Sequence, residues 1–431
     1  MEPREYLFSL EKFGIKFGLG NIRTLVASLG NPQDAFKSVL IAGTNGKGSV
    51  SAMVDTALRA ASLPVGRYTS PHLVRLEERF AIDGAPVDSG TLTEAIAQLQ
   101  ALVERLLARG SLDAPPTFFE ATTALAFELF RRAGVGVAVL EVGLGGRLDA
   151  TNIVQPIASA ITSIDFDHEQ YLGNTLAAIA TEKAGVMRYG VPVVVGRVPP
   201  EAREALVAMA GGTGARLVAA DAGVTADTTS NDGRTVLRLT TPLRDYGAVT
   251  LGLRGSHQVL NAIVAVRLLE TIETALPLSP ADIVSGLRDV RWPARLQMIE
   301  MPDGRRVLID AAHNPAGARA LASYLTREYP DRLPLVFGAM RDKAVAPMLD
   351  ALVPAASAVV MTEPSTPRAC RAEELAVVAR SLAPTLSIDV EPDPMRALAR
   401  AWAQRPIVCA AGSIFLAGNL LDALGTSARE I

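Results

Sequence analysis

Short apolar runs rich in Val, Ile and Leu alternate with helix-period segments along most of this chain, and that alternation narrows the possible folds more than any other feature. Residues 39–42 are followed by Val50, Met53, Val54, Ala57, Leu58 and Ala61, a spacing that lays one apolar face along a helix. Further runs at 65–69, 137–142, 157–164 and 191–195 are mostly apolar on both faces, as in a parallel sheet covered by helices on either side. The stretch 217–253 reads differently. Val and Leu alternate there with Thr and Arg around the turn Asn231-Asp232-Gly233, which predicts a small antiparallel insertion or edge. After a helix near 257–272, Pro293 disfavours helix before it, and new strands at 307–309, 335–337, 358–361, 386–390 and 407–411 alternate with helices.

With 431 residues the chain has room for two or three domains. Its 42 Lys+Arg against 45 Asp+Glu leave a net charge of −3, without the basic field that draws a protein to nucleic acid or anionic lipid. Neither nucleic acid nor membrane is expected as a partner. The sequence Met1-Glu2-Pro3-Arg4-Glu5 lacks the basic and then apolar pattern of a secretory signal. No apolar run approaches the roughly 20 residues needed to cross a bilayer. Cys370 and Cys409, without metal-ligand spacing, read as buried apolar residues. A cytoplasmic monomer acting on small molecules is expected.

Between the first strand and first helix lies Gly43-Thr44-Asn45-Gly46-Lys47-Gly48-Ser49, a Gly-rich turn whose N–H groups and following helix N-terminus can cradle phosphate, with Lys47 on the β/γ oxygens. The general pattern G-x-x-x-x-G-K-[ST] is not met, because Ile41 stands at its first Gly and Gly48 at its hydroxyl. A magnesium hydroxyl must come from Ser49 or from elsewhere. Glu141 closes a strand-like run at its carboxyl end, where open α/β sheets bind ligands and where a buried charge needs a cation. Ser70 and His168 also follow strand-like runs and should reach the same rim. Gly143-Leu144-Gly145-Gly146 fails as a dinucleotide motif, since Leu148 occupies the place of its third Gly. The fold class is α/β: a P-loop-type ATPase domain with a parallel sheet over 1–291, then a smaller Rossmann-like α/β domain over 292–431. Taken alone, Lys183 reads as a solvated helix charge, His168 as a loop histidine, Arg295 as a linker charge, and Phe118 and Phe119 as core.

The loop resembles that of the Mur ligase superfamily, and the blocks around it resemble the folylpolyglutamate synthase/dihydrofolate synthase branch. These blocks are Ser70-Pro71-His72-Leu73, Phe118-Phe119-Glu120-Ala121-Thr122, the run from Glu141 to Asn152, Asp167-His168, Glu182-Lys183-Ala184-Gly185, His257-Gln258 with Asn261-Ala262, Arg295-Leu296-Gln297, Asp310 to Pro315, and Gly412-Ser413. They follow the family order over most of the chain. Two depart from it: W-P-G-R is here Trp292-Pro293-Ala294-Arg295, and D-G-A-H-N is Asp310-Ala311-Ala312-His313-Asn314. If either replaced Gly needs a positive φ, Ala costs about 1 kcal/mol of strain and stiffens the domain hinge.

The resemblance implies an ADP-forming ligase of folate biosynthesis and one-carbon metabolism that joins L-glutamate to dihydropteroate, to reduced folates, or to both, through an acyl phosphate. It implies ATP on residues Gly43 to Ser49 with Asn261, Arg295 and Asp310. Two Mg2+ ions are implied, one on Ser70 and Glu141 and a second on His168, toward which a carbamylated Lys183 would reach. Lys47, Lys183 and His313 would serve catalysis, with His313 positioning the amino acid or the acyl phosphate. The pterin would lie on Thr117, Phe118, Phe119 and Glu120 and on Leu148, Asp149 and Ala150. The rival readings are another Mur-type ligase acting on a peptidoglycan precursor and a P-loop NTPase switch.

Overall fold

The computed structural model describes residues 1–14, 16, 18–231, 234–425 and 429–430; Asp232 and Gly233 of the expected turn lie outside the described residues. The chain divides into two compact units, one of Met1–Asp227, Arg238–Val249 and Leu260–Val290, the other of Thr228–Leu237, Thr250–Val259 and Arg291–Ile431.

The first unit is built on strands β1 (Lys37–Ala42), β2 (Val65–Tyr68), β3 (Phe80–Ile82), β4 (Ala85–Pro86), β5 (Val137–Glu141), β6 (Pro156–Ile161), β7 (Pro192–Val195) and β8 (Arg216–Ala219). They form one sheet in the order β4-β3-β2-β5-β1-β6-β7-β8. All pairings from β2 to β8 are parallel, and β3 and β4 add an antiparallel edge. Val39, Leu40, Val139 and Leu140 are buried on both faces of the centre, so these strands read as continuous apolar runs. Strand β6 ends at Ile161, short of the expected 164, because the next residues leave the sheet to hold the phosphate loop.

Residues 216–219 depart from the expectation. They do not open an antiparallel insertion but form β8, parallel to β7 at the sheet edge. An edge strand is only partly covered, so Leu217, Val218 and Ala219 are half-buried where the central strands are buried throughout. The three strands that follow, β9 (Thr225–Asn231), β10 (Arg234–Thr240) and β11 (Asp245–Thr250), make a separate small sheet in the order β11-β10-β9.

In the second unit, β12 (Gln297–Glu300), β13 (Arg306–Ile309), β14 (Leu333–Phe337), β15 (Ala356–Met361), β16 (Ile388–Val390), β17 (Ile407–Ala411) and β18 (Arg429–Glu430) are ordered β16-β15-β14-β17-β13-β12-β18. The strands from β16 to β13 run parallel, and β12 pairs antiparallel with both β13 and β18. Leu308, Leu335, Phe337, Met361 and Cys409 belong to its core. Cys370 and Cys409 are both buried and free of disulfide. Among the described residues, no helix is long and apolar enough to cross a membrane.

Candidate active site

The phosphate loop leaves β1 at Gly43 (φ 143°) and enters the helix Lys47–Ala60 at Gly46 (φ 87°). Only Gly fits at these two turns: a Cβ on Gly43 would run into the Thr162 hydroxyl, and one on Gly46 into the Asn261 amide. The helix forms because Val50, Met53, Val54, Ala57 and Leu58 are buried together. Residues just beyond β6 clamp the loop from the side. Thr162 Oγ1 donates to Asn45 O at 2.6 Å, Ser163 Oγ pairs with Asn45 N at 2.9 Å and Asn45 O at 3.0 Å, and Thr44 Oγ1 donates to Asp165 O at 3.1 Å. Sequence reasoning missed Thr162, Ser163 and Asp165; a cluster of hydroxyls at the carboxyl end of a strand was the available signal. Ser49 and Asn261 are both buried, as is Gly48.

Two lysines converge on the head of the loop. Lys47 Nζ donates to Gly43 O at 3.1 Å and to Thr44 O at 3.2 Å, and Lys183 Nζ donates to the same Gly43 O at 3.0 Å. Lys183 is only 4 % exposed, so it is not the solvated helix charge that its residue type suggests. Burial, reinforced by the charge of Lys47, lowers its pKa from 10.5 to about 7.

Glu141 is the last residue of β5 and is buried; its Oε2 accepts from the Ser70 N–H at 3.3 Å. The peptide between Ser70 and Pro71 is cis. A carboxylate beside a hydroxyl residue is a hard-oxygen donor set and fits magnesium. Among the described residues no cluster of three or more His, Cys, Asp or Glu could hold an ion by itself. His168 lies outside that hydrogen bond. It begins the short helix Glu169–Leu172 with φ 53°, its side chain is 38 % exposed, and its Nε2 is 3.9 Å from Asp167 Oδ1.

The acids of the expected pterin block already have backbone partners. Thr117 Oγ1 accepts from Glu120 N at 3.1 Å while Glu120 Oε2 accepts from Thr117 N at 2.8 Å, a reciprocal cap on the helix Phe118–Arg132. Asp149 accepts from Leu144 N at 2.9 Å, Thr151 N at 3.0 Å and the Thr151 hydroxyl at 2.5 Å, and its burial pushes the carboxyl pKa up. Phe118 stacks on Phe8 with centroids 5.8 Å apart, and the Arg79 guanidinium lies 5.1 Å from its ring centre. Arg79 Nε also donates to His72 Nδ1 at 2.9 Å. Phe119 tilts against Tyr68 at 5.9 Å; Leu148 is half-buried and Ala150 buried.

Arg295, Asp310 and His313 belong to the second unit. Buried Asp310, its pKa raised by burial and opposed by the charge of Arg295, accepts from Leu296 N and Ala312 N, both at 2.9 Å. That pins the turn 294–296 to the end of β13. His313 Nδ1 donates to Ala311 O at 2.9 Å, and Asn314 caps the helix Pro315–Glu328 through Gly317 N at 2.9 Å. Arg295 Nη1 donates to Ala294 O at 2.9 Å.

Comparison with known proteins shows the family. The Mur ligase middle domain matches residues 41–269, and the Mur ligase, glutamate ligase domain matches residues 294–414. The chain is 37% identical over 373 residues to the folylpolyglutamate synthase of Lacticaseibacillus casei, covering 85% of this chain and 86% of that one. It is 34% identical to the dihydrofolate synthase/folylpolyglutamate synthase of Bacillus subtilis strain 168, over 87% of each chain. The structure of the Mycobacterium tuberculosis folylpolyglutamate synthase complexed with ADP and AMPPCP matches with a TM-score of 0.89 at 35% identity, over 95% of both chains.

Proposed function

The chain belongs to the folylpolyglutamate synthase/dihydrofolate synthase branch of the Mur ligases, ADP-forming acid–amino-acid ligases, and from that premise we propose that it adds L-glutamate both to dihydropteroate and to reduced folates. The observation that favours a ligase over a nucleotide switch is the convergence of Lys47 and buried Lys183 on Gly43 O at the head of the phosphate loop. A nucleotide switch has no evident use for a second, near-neutral lysine there.

In the reaction a substrate carboxylate oxygen attacks the γ-phosphorus of ATP and ADP leaves. The amine of glutamate then attacks the acyl carbon of the resulting acyl phosphate, loses a proton, and expels phosphate. Residues Gly43 to Ser49 and Asn261 would bind ATP, with Lys47 set on the transferring phosphoryl group, where fixed positive charge lowers the barrier. Arg295 and Asp310 would complete the nucleotide site, and His313 would orient the amino acid. Ser70 and Glu141 would hold one magnesium ion and His168 a second; magnesium, when bound, neutralises phosphate charge and polarises the phosphoryl oxygens. Lys183, with its pKa near 7, supplies the neutral amine that adds to carbon dioxide, forming an N–C bond and releasing one proton to give a carbamate. Phe118, Phe119 and Leu148 would pack the pterin, with Thr117, Glu120, Asp149 and Ala150 shaping the pocket. The domain boundary is placed at 292, and the protein is read as a cytoplasmic monomer, a compartment that two free cysteines suit.

A parallel assay of dihydropteroate and tetrahydrofolate with ATP, magnesium and glutamate, with products read by mass, tests the proposal. Glutamylation of both is expected. Turnover of tetrahydrofolate alone refutes the double activity, and turnover of neither favours a cell-wall precursor as substrate.

A further inference from the structure

Asp55 and Arg67 are charged residues on apolar elements, and neither has a part in the steps above. Asp55 lies on the helix that starts at Lys47, and its side chain is 0 % exposed. Its Oδ2 accepts from Arg67 Nη1 at 2.8 Å and from Arg59 Nε at 3.1 Å. Arg67, with a side chain 12 % exposed, stands on β2 opposite Val139 of β5. Paired residues of a parallel sheet share a face, and so do alternate residues of a strand, which makes Glu141 the next residue of β5 on the face of Arg67. Burial lowers the pKa of the Arg67 guanidinium, while Asp55 and Glu141 both act to retain its charge.

We propose that Arg67 is a positioning residue for Glu141, tying the carboxylate at the end of β5 through Asp55 to the helix of the phosphate loop. The proposal rests on the reading of Glu141 as the magnesium carboxylate. A buried ion pair adds little net stability over apolar residues of similar size, so its best-attested use is to fix geometry. A guanidinium suits that use, because one nitrogen can hold Asp55 while the delocalised charge bears on Glu141. With Arg67 in place, the cation's anchor and the loop that holds the phosphates are set by one buried network.

The test uses the full chain and reads magnesium apart from turnover: binding of AMPPCP is followed by calorimetry as free magnesium is varied. Asp55→Leu combined with Arg67→Met removes both partners, so no buried charge is orphaned, and thermal melting checks the fold. Half-maximal binding is expected to need about tenfold more magnesium, the usual effect of losing an outer partner of a metal ligand. Because Arg67 acts through Glu141, the shift is expected not to add to that of Glu141→Gln. Arg67→Lys keeps the charge and serves as the second variant, its fold checked by the same melting; a shift of about threefold is expected from the altered donor geometry. A folded double variant with the wild-type magnesium response, full additivity with Glu141→Gln, or an unshifted Arg67→Lys overturns the proposal. An unshifted Glu141→Gln overturns the assignment of Glu141 itself, and the proposal with it.

Discussion

Lys47 and Lys183 donate to the same carbonyl, yet their removal should have different effects. Lys47→Ala is expected to lower kcat about a hundredfold with an unchanged circular-dichroism spectrum, since a fixed cation on the transferring phosphoryl group is worth about 3 kcal/mol. Retention of more than about a tenth of the activity would sink that role. Lys183 bears on stability through pH. Its pKa is about 7 in the folded chain against 10.5 ordinarily, so between these values the unfolded chain binds a proton that the folded chain does not. Stability therefore rises with pH across that window and is lowest below it. In buffer free of carbon dioxide, where Lys183 stays an amine, Lys183→Met removes the penalty, and its melting temperature should exceed that of the wild type most at about pH 6 and least above about pH 10. A difference that does not vary with pH would count against a depressed pKa. Lys183 was legible as a family position but not as a buried cation, because residue type and helical spacing say nothing about which loop covers a side chain.

At the scale of elements, the two alanines that replace glycines separate. Ala294 adopts φ 55°, and Leu296, two residues on, φ 48°, whereas Ala311 is not among the positive-φ residues. The left-handed region costs a non-Gly residue roughly 1–2 kcal/mol. Ala294→Gly should therefore leave stability at or slightly above that of the wild type, as relief of strain offsets the lost methyl and the freer unfolded chain. Ala311→Gly relieves nothing and should cost about 0.5–1 kcal/mol. Denaturant unfolding of the two variants makes the comparison, and equal losses would contradict it. The sequence marked both positions, but only the backbone distinguishes them. Other features were legible and went unread. Thr117-x-x-Glu120 before an apolar run is a capping-box signature, and it explains why the Glu120 carboxylate faces its own helix start.

At the scale of the molecule, strand and helix alternation was the most legible feature, because parallel strands covered on both faces leave unbroken apolar runs. What it could not reveal is that segments 228–237 and 250–259 belong with the second compact unit. Leu251 and Leu253, in the latter segment, are buried at 1% and 4% exposure. In the full chain, Leu253→Ala is accordingly expected to cost about 2–4 kcal/mol of stability. A loss below about 1 kcal/mol in denaturant unfolding would count against a core role for this segment.

The hydrogen bonds of the phosphate loop sort its polarity. The carbonyl of Gly43 is taken by two lysines, that of Thr44 by Lys47, and that of Asn45 by the hydroxyls of Thr162 and Ser163. With its acceptors engaged from within, the turn offers a visitor mainly donors, and it discriminates by sign before it discriminates by shape. Phosphate oxygens meet N–H groups, while a cationic or donor-rich molecule of the same size finds little to which it can donate.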